Sequence, residues 1–407
     1  MFKTLQRDIE AQHDTMIQRL YQWCSINSGS THLAGLKKMR DALHEAFLPL
    51  ADIIETHSSP PLHTIGLDGL NHVQSSGDIL FIRKRPHLKR RILLCAHMDT
   101  VFAQHHPFQH LKKIDTNMVN GPGVTDMKGG IVVLLHALCA FEQLKEASTL
   151  GWDILINADE ELGSPSSRIF LDKIAQQYQV ALVYEPAMTA DGTFAKNRRG
   201  SGKLTLISTG RAAHAGRDFH SGRNAIVQLS KILVDIHALN KKRKDVTINI
   251  GQIAGGEALN IVPDRAVAKL DIRISRDPDE AWVRNQIAHV IHRHQEKDYH
   301  LELSGEFNRP VKRINTATKR LFKRIQHIGE MLNLDLQWKD SGGCCDGNNL
   351  SAHGLAVIDT LGVRGGNIHS ENEFILLDSL VERTLLNTLL FSELAQGHLE
   401  HISTYRG

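Results

Sequence analysis

Apolar residues at three- and four-residue spacing run through DIEAQHDTMIQRLYQWCSI (residues 8–26) and GLKKMRDALHEAFLPL (35–50), which predicts helices across most of the first fifty residues. The pattern then tightens. DILFIRK, RILLCAHMD, GWDILINAD and VALVYEP are short runs rich in Val, Ile and Leu, each predicting a strand. DMKGGIVVLLHALCAFEQLK and SPSSRIFLDKIAQQY separate them with helical spacing. Strands alternating with helices predict an α/β domain with a mostly parallel sheet.

Beyond Pro186 the pattern changes. GKLTLISTG, VTINIGQIAGG, NIVPDRAVAKLDIRIS and YHLELSGEF predict strands, while GRNAIVQLSKILVDIHALN and DPDEAWVRNQIAHVIHRHQE predict helices, in the order βαββαβ. That order makes a complete ferredoxin-like unit of about 110 residues. TKRLFKRIQHIGEMLN then predicts a helix, LDLQWKD and AVIDTLG strands, and the stretch from ENEFILLDSL to about Ala395 a closing helix. The simplest architecture is an α/β domain over residues 1–193 and 309–407, interrupted by an inserted ferredoxin-like βαββαβ domain over 194–308.

Composition narrows the function. A chain of 407 residues exceeds what one hydrophobic core usually serves, which supports two domains. With 48 Lys plus Arg against 45 Asp plus Glu, the net charge of +3 gives no single-sign field to hold nucleic acid. The start, MFKTLQRDIEAQHD, lacks the apolar stretch of a secretory signal, and IVVLLHALCA is too short to span a bilayer. A cytoplasmic protein with no membrane partner is expected. Five cysteines, an odd number scattered along the chain, make no disulfide framework. Twenty-four histidines mean that a histidine counts as a ligand candidate only in a specific context.

Several contexts qualify. His97 and Asp99 in LLCAHMDTVF sit at i and i+2, so on an extended backbone they leave from one face. That suits a metal-bound imidazole fixed by a carboxylate, and equally a polar strand end. Asp126 lies in the glycine-rich NGPGVTDMKGG, as a ligand or as a helix cap. Asp159, Glu160 and Glu161 end a strand in a row, and like charges raise one another's pKa unless a cation is present. Glu185 closes VALVYEP, and His369 follows a glycine-rich loop in GVRGGNIHSENEF. His97, Asp126, Glu161, Glu185 and His369 together supply two imidazoles and three carboxylates, enough for two zinc ions, with Glu160 left over. The mixed nitrogen and oxygen set favours zinc over calcium or magnesium, although cobalt or manganese can occupy such sites.

In this order HMDTVF, GPGVTDMKGG, ADEELGS, YEP, GRAAHAG and GGNIHSE resemble the motifs of the di-zinc metallopeptidase family of glutamate carboxypeptidase, aminoacylase, acetylornithine deacetylase and succinyl-diaminopimelate desuccinylase. The resemblance leans toward the glutamate carboxypeptidase branch and, with the two-domain layout, covers nearly the whole chain. It implies that Asp126 bridges two zinc ions, with His97 and Glu185 completing one and Glu161 and His369 the other. Asp99 would orient His97, and Glu160 would be the general base serving the attacking water and the leaving amine. It further implies a cis peptide between Asp126 and Met127. The inserted domain would be a lid and, as is common in the family, a dimerisation surface, so that a homodimer is expected. There His214 matches the histidine that stabilises the oxyanion, and Asn260 and Arg273 match positions that hold the substrate's carboxylate, with Arg309 a further candidate at the domain junction.

One loop departs from the family pattern. Where many relatives have a glycine run followed by Ser or Thr and Asp, this chain reads SGGCCDGNN, with Cys344 and Cys345 before Asp346. The loop, with Gly342 and Gly343, is expected to border the substrate pocket. The reaction implied is zinc-dependent hydrolysis of an amide bond adjacent to a free carboxylate, by a carboxypeptidase of dipeptides or N-acyl amino acids. The alternative is an N-acyl amino acid deacylase of the acetylornithine deacetylase or desuccinylase type. A non-catalytic metal- and carboxylate-binding protein would have lost the base, whereas Glu160 is present.

Overall fold

The chain, in a computed structural model that describes residues 2–398, divides into two units, each with its own core. The first comprises the chain up to Pro60, Ser75–Asn197 and the part from Lys312 onward. The second comprises Pro61–Gln74 and Arg198–Val311. This division differs from the expected insert of 194–308. Residues 194–197 stay with the first unit, because Phe194–Arg198 pairs with Trp338–Ser341 in a two-stranded sheet. Residues 309–311 belong to the second unit, where Arg309 pairs with Ser201.

At the centre of the first unit is a six-stranded sheet in the order Ile53–His57, Ile79–Lys84, Gly151–Asn157, Arg91–His97, Val180–Val183, Ala356–Asp359. The last four strands run parallel, whereas the first two pair antiparallel with their neighbours. The sheet is therefore mixed, its parallel part carrying the strand ends that matter for chemistry. Alternate residues feed two cores. Leu94, Ile154 and Leu182 pack with the helices Leu33–Phe47, Lys128–Phe141 and Asp378–Glu393 on one face. Leu93, Leu155 and Ala181 pack with Leu171, Ile174 and Leu350 on the other. Burial on both faces is why these strands read as unbroken apolar runs rather than as alternating ones.

The run IVVLLHALCA forms part of the Lys128–Phe141 helix, which is buried along almost its whole surface. Among the described residues no helix is long and apolar enough to cross a membrane. Gly130 lets this helix abut the strand end beside it, since a Cβ there would sit 2.1 Å from the Tyr184 carbonyl oxygen. The closing helix is shorter than its apolar pattern predicts. The stretch from Glu371 begins not as helix but as the strand Phe374–Leu376, paired with Met118–Asn120, and the helix starts only at Asp378.

In the second unit four antiparallel strands stand in the order Thr247–Gly255, Arg265–Ile274, Gly200–Thr209, His300–Arg309. The helices Ala225–Ala238 and Pro278–Arg293 cover one face, where Leu204, Leu206, Ala268, Leu270 and Ile272 meet Leu229, Ile232, Ile236, Val283 and Ile287. This is the expected ferredoxin-like arrangement. The long run from Asn260 becomes strand only at Arg265, after Pro263, which has no N–H to give a ladder. The hairpin Leu62–Ile65 and Asn71–Gln74, whose loop carries Asp68-Gly69 with Gly69 at a φ of 73°, joins this unit, with the Asp68 carbonyl accepting from Arg265 Nη1 at 3.3 Å.

Candidate metal centre

Three parallel strands deliver the site at their C-terminal ends, where open α/β sheets place ligands. His97 is the last residue of its strand, Glu160 and Glu161 follow Gly151–Asn157 in a short turn, and Glu185 follows Val180–Val183. Two loops supply the rest. Asp126 precedes the buried helix, and the peptide joining it to Met127 is cis. His369 stands in an exposed loop with a left-handed φ of 62°, a region uncommon for non-glycine residues, in which His is one of the enriched types.

Asp126 lies at the middle of the cluster. Its Oδ1 is 3.2 Å from His97 Nε2, and its Oδ2 is 3.2 Å from His369 Nε2. Each imidazole also faces a second carboxylate: His97 Nε2 is 3.8 Å from Glu185 Oε1, and His369 Nε2 is 3.1 Å from Glu161 Oε2. Candidate ligand atoms of His97, Asp126 and Glu161 lie within 4.8 Å of one another, as do those of His97, Glu160 and Glu185. Glu160, expected to be a base and not a ligand, thus stands within reach of the same centre.

Asp99 is buried behind His97. Its Oδ1 is 3.3 Å from His97 Nδ1 and accepts from the backbone N–H of Glu160, while its Oδ2 accepts from the N–H of Glu161 and the hydroxyl of Ser30. One carboxylate therefore ties the imidazole to the turn that carries both glutamates.

The electrostatics are those of a place built for cations. Burial pushes the Glu161 carboxyl up, and the charge of Asp126 beside it adds to the rise. Burial would raise Asp126 as well, but the hydrogen bonds from His369 and His97 hold it far below the usual carboxylate range. The His97 imidazole is raised despite its burial, because Asp126 and Asp99 bond to it. Hydrogen bonds to Asp126 and Glu161 raise His369. Acids gathered this closely need positive charge beside them, and a bound cation would supply it in place of protons on the two imidazoles. Asp126 and Glu185 are only 6% and 8% exposed, and buried carboxylates are costly without a compensating cation. Two imidazoles and three carboxylates, one of which faces both imidazoles, fit a pair of divalent ions.

Sequence patterning does not single out Glu373, which is 1% exposed and accepts from the backbone N–H groups of Gly123, Thr125 and Asp126. Burial and the nearby Asp126 push its carboxyl up to about 7. No spacing rule marks it, since it lies within the stretch whose pattern predicts helix.

The other expected residues are placed as follows. Gly342 and Gly343 are exposed in the loop after Trp338–Ser341, Cys344 is half-buried, and Cys345 is buried with its Sγ 3.7 Å from Asp359 Oδ2. In the second unit His214 and Asn260 come together, because the chain segments bearing them pair and the Ala215 N–H donates to the Asn260 carbonyl at 2.9 Å. His214 Nδ1 accepts from the N–H groups of Gly216 and Arg217. Arg273 forms a two-point ion pair with Asp271, and Arg309 is buried at the end of its strand.

Residues 197–298 match the peptidase dimerisation domain, and residues 79–229 match peptidase family M28. Carboxypeptidase G2 of a Pseudomonas species is 25% identical over 315 residues, covering 76% of this chain and 75% of that enzyme. Succinyl-diaminopimelate desuccinylase of Bordetella pertussis is 30% identical over 291 residues, covering 66% of this chain and 74% of that enzyme. The chain belongs to their metallopeptidase family. This metallopeptidase is accordingly a hydrolytic enzyme. Its fold is also that of the dipeptidase Dug1p from Saccharomyces cerevisiae, which superposes with a TM-score of 0.73 over 100% of this chain and 99% of its own, at 13% identity.

Proposed function

We propose that this metallopeptidase is a cytoplasmic two-zinc hydrolase that cleaves an amide bond next to a free carboxylate, as a carboxypeptidase of dipeptide or N-acyl amino acid substrates. The observation that carries the reading is Asp126, whose two oxygens face two different imidazoles, each with its own second carboxylate. His97, Asp126 and Glu185 would hold one ion, and Asp126, Glu161 and His369 the other. Bound divalent ions supply Lewis-acid polarisation of a carbonyl and make water acidic enough to be deprotonated near neutral pH.

The protein's own part is orientation and proton movement. Asp99 fixes the tautomer and direction of His97, with Nδ1 toward Asp99 and Nε2 toward the centre. Glu160 takes a proton from the attacking water and delivers it to the leaving amine. In the inserted domain His214 meets the charge that develops on the carbonyl oxygen, while Asn260 and Arg273 hold the substrate's carboxylate, for which a guanidinium has paired donors. Arg309 and the loop of Gly342 and Gly343 line the substrate side. The inserted domain serves as lid and as the contact between two copies of the chain.

Equilibrium dialysis with metal analysis, followed by a panel of dipeptides and N-acyl amino acids with their amidated analogues, tests the proposal. Two ions per chain and turnover confined to free acids are expected. Fewer than two ions, or equal turnover of the amides, would remove it. Preference for dipeptides over acetylated or succinylated amino acids separates carboxypeptidase from deacylase.

A further inference from the structure

Asp126 can serve two ions only if its loop is held in one position relative to the loop that carries His369. The two are distant in sequence, and neither lies within a strand of the central sheet. Beside the pairing of Phe374 with Asn120, a further residue ties their main chains together. Glu373, four positions after His369, accepts through Oε1 from the N–H of Thr125 at 2.9 Å and of Asp126 at 3.0 Å, and through Oε2 from the N–H of Gly123 at 3.1 Å. Its main-chain carbonyl accepts from Gly121 N at 3.2 Å and from Asn120 Nδ2 at 2.7 Å. The neighbouring Phe374 carbonyl takes the Thr125 hydroxyl at 2.6 Å. The segment 120–126 therefore directs five of its donors at one residue.

We infer that Glu373 is a positioning residue that locks the Asp126 carboxylate to the His369 loop, so that the shared ligand meets both ions in register. This rests on the two-metal reading. The Glu373 carboxylate acts through the backbone that aims Asp126. Its effect is unequal on the two ions. His97 and Glu185 are set by strands of the central sheet, whereas His369 stands on an exposed loop anchored close to Glu373. The ion held by His369 and Glu161 depends on the lock more than the ion held by His97 and Glu185. Removing a residue that orients a ligand typically lowers metal affinity about 10- to 100-fold.

The test is a cobalt(II) titration of the metal-depleted full chain, followed by visible absorption, on wild type, Glu373→Gln and Glu373→Ala. Wild type should take up two equivalents. Glu373→Gln keeps one acceptor oxygen but sets an amide donor against a backbone N–H, so it should retain the first equivalent. The second should bind about 10- to 100-fold more weakly, with an altered absorption band. Glu373→Ala should lose more of the second, and if it fails to fold, the isosteric Gln variant decides. Two equivalents in Glu373→Gln with unchanged affinity and spectrum would overturn the inference, as would equal loss of both ions. Fewer than two equivalents in wild type would instead overturn the two-metal reading, and the inference with it.

Discussion

At the scale of single residues, neighbours in sequence are proposed to do different work. Glu160 and Glu161 share one turn and one anchor, Asp99, which bonds the backbone of both. Glu161 lies against His369, at 3.1 Å. Glu160→Gln should therefore keep its metal and its KM while kcat falls by roughly two to four orders of magnitude, the usual worth of a positioned base. Glu161→Gln should lose metal first. Metal analysis of both variants beside their kinetics checks this, and loss of an ion from the Glu160→Gln enzyme would exchange the two roles. Arg273 presents a different case, because Asp271 already engages its guanidinium at 2.7 Å and 3.0 Å. Arg273→Ala should raise KM for free-acid substrates and leave amidated analogues, already poor, little changed. Equal losses on both substrates would remove Arg273 from carboxylate recognition.

Among the elements, the Lys128–Phe141 helix carries a titratable group into the core. His136 sits on it, 6% exposed, with Nδ1 2.8 Å from Gln12 Oε1 and no partner for Nε2 among the described residues. Burial, with repulsion from Arg19, pushes its imidazole down from 6.5 to about 4. A depressed histidine favours the folded state while both states are neutral, above the unfolded value of 6.5. As pH falls from 6.5 to about 4 the unfolded chain takes the proton and the folded one does not, so stability drops, by about 3 kcal/mol at most. His136→Gln should flatten this loss. Urea midpoints of both proteins at about pH 7 and about pH 5, either side of the unfolded value, measure it, and parallel shifts would assign the acid lability elsewhere. The element that the sequence hid is the Phe374–Leu376 strand. Phe374, Ile375, Leu376 and Leu377 form an apolar run continuous with a true helix, and no breaker separates them. Pairing with Met118–Asn120 decides the matter, and a partner more than 250 positions away leaves no local signal.

For the whole molecule, the two units keep separate cores, one centred on Leu94 and Ile154 and the other on Leu270 and Ile272. All proposed metal ligands belong to the first unit. Binding to the folded state alone stabilises it by about 2.7 kcal/mol when the free ligand is at about 100 times its Kd. Zinc at that excess, compared with a chelator, should raise amide-exchange protection in the strands Arg91–His97 and Gly151–Asn157. Protection in Arg265–Ile274 should hardly change. Equal gains in both units would mean that zinc binds outside the proposed centre or that the units unfold as one.

Local structure and the kind of chemistry the chain carries were legible from the order of its residues. Unbroken apolar runs required strands buried on both faces, the change to βαββαβ order marked a second core, and His97, Glu160, Glu161 and Glu185 fell at strand ends. Periodicity and residue type are local properties, so these were legible. Tertiary structure alone decided that Asp126 faces both His97 and His369, that Asp99 binds the turn of Glu160 and Glu161, and that Glu373 grips the Asp126 loop. It also decided that the hairpin within Pro61–Gln74 joins the second unit. Each of these is a hydrogen bond or contact between segments far apart in the chain. Its energy depends on where the cores place those segments, not on the residues adjacent to them.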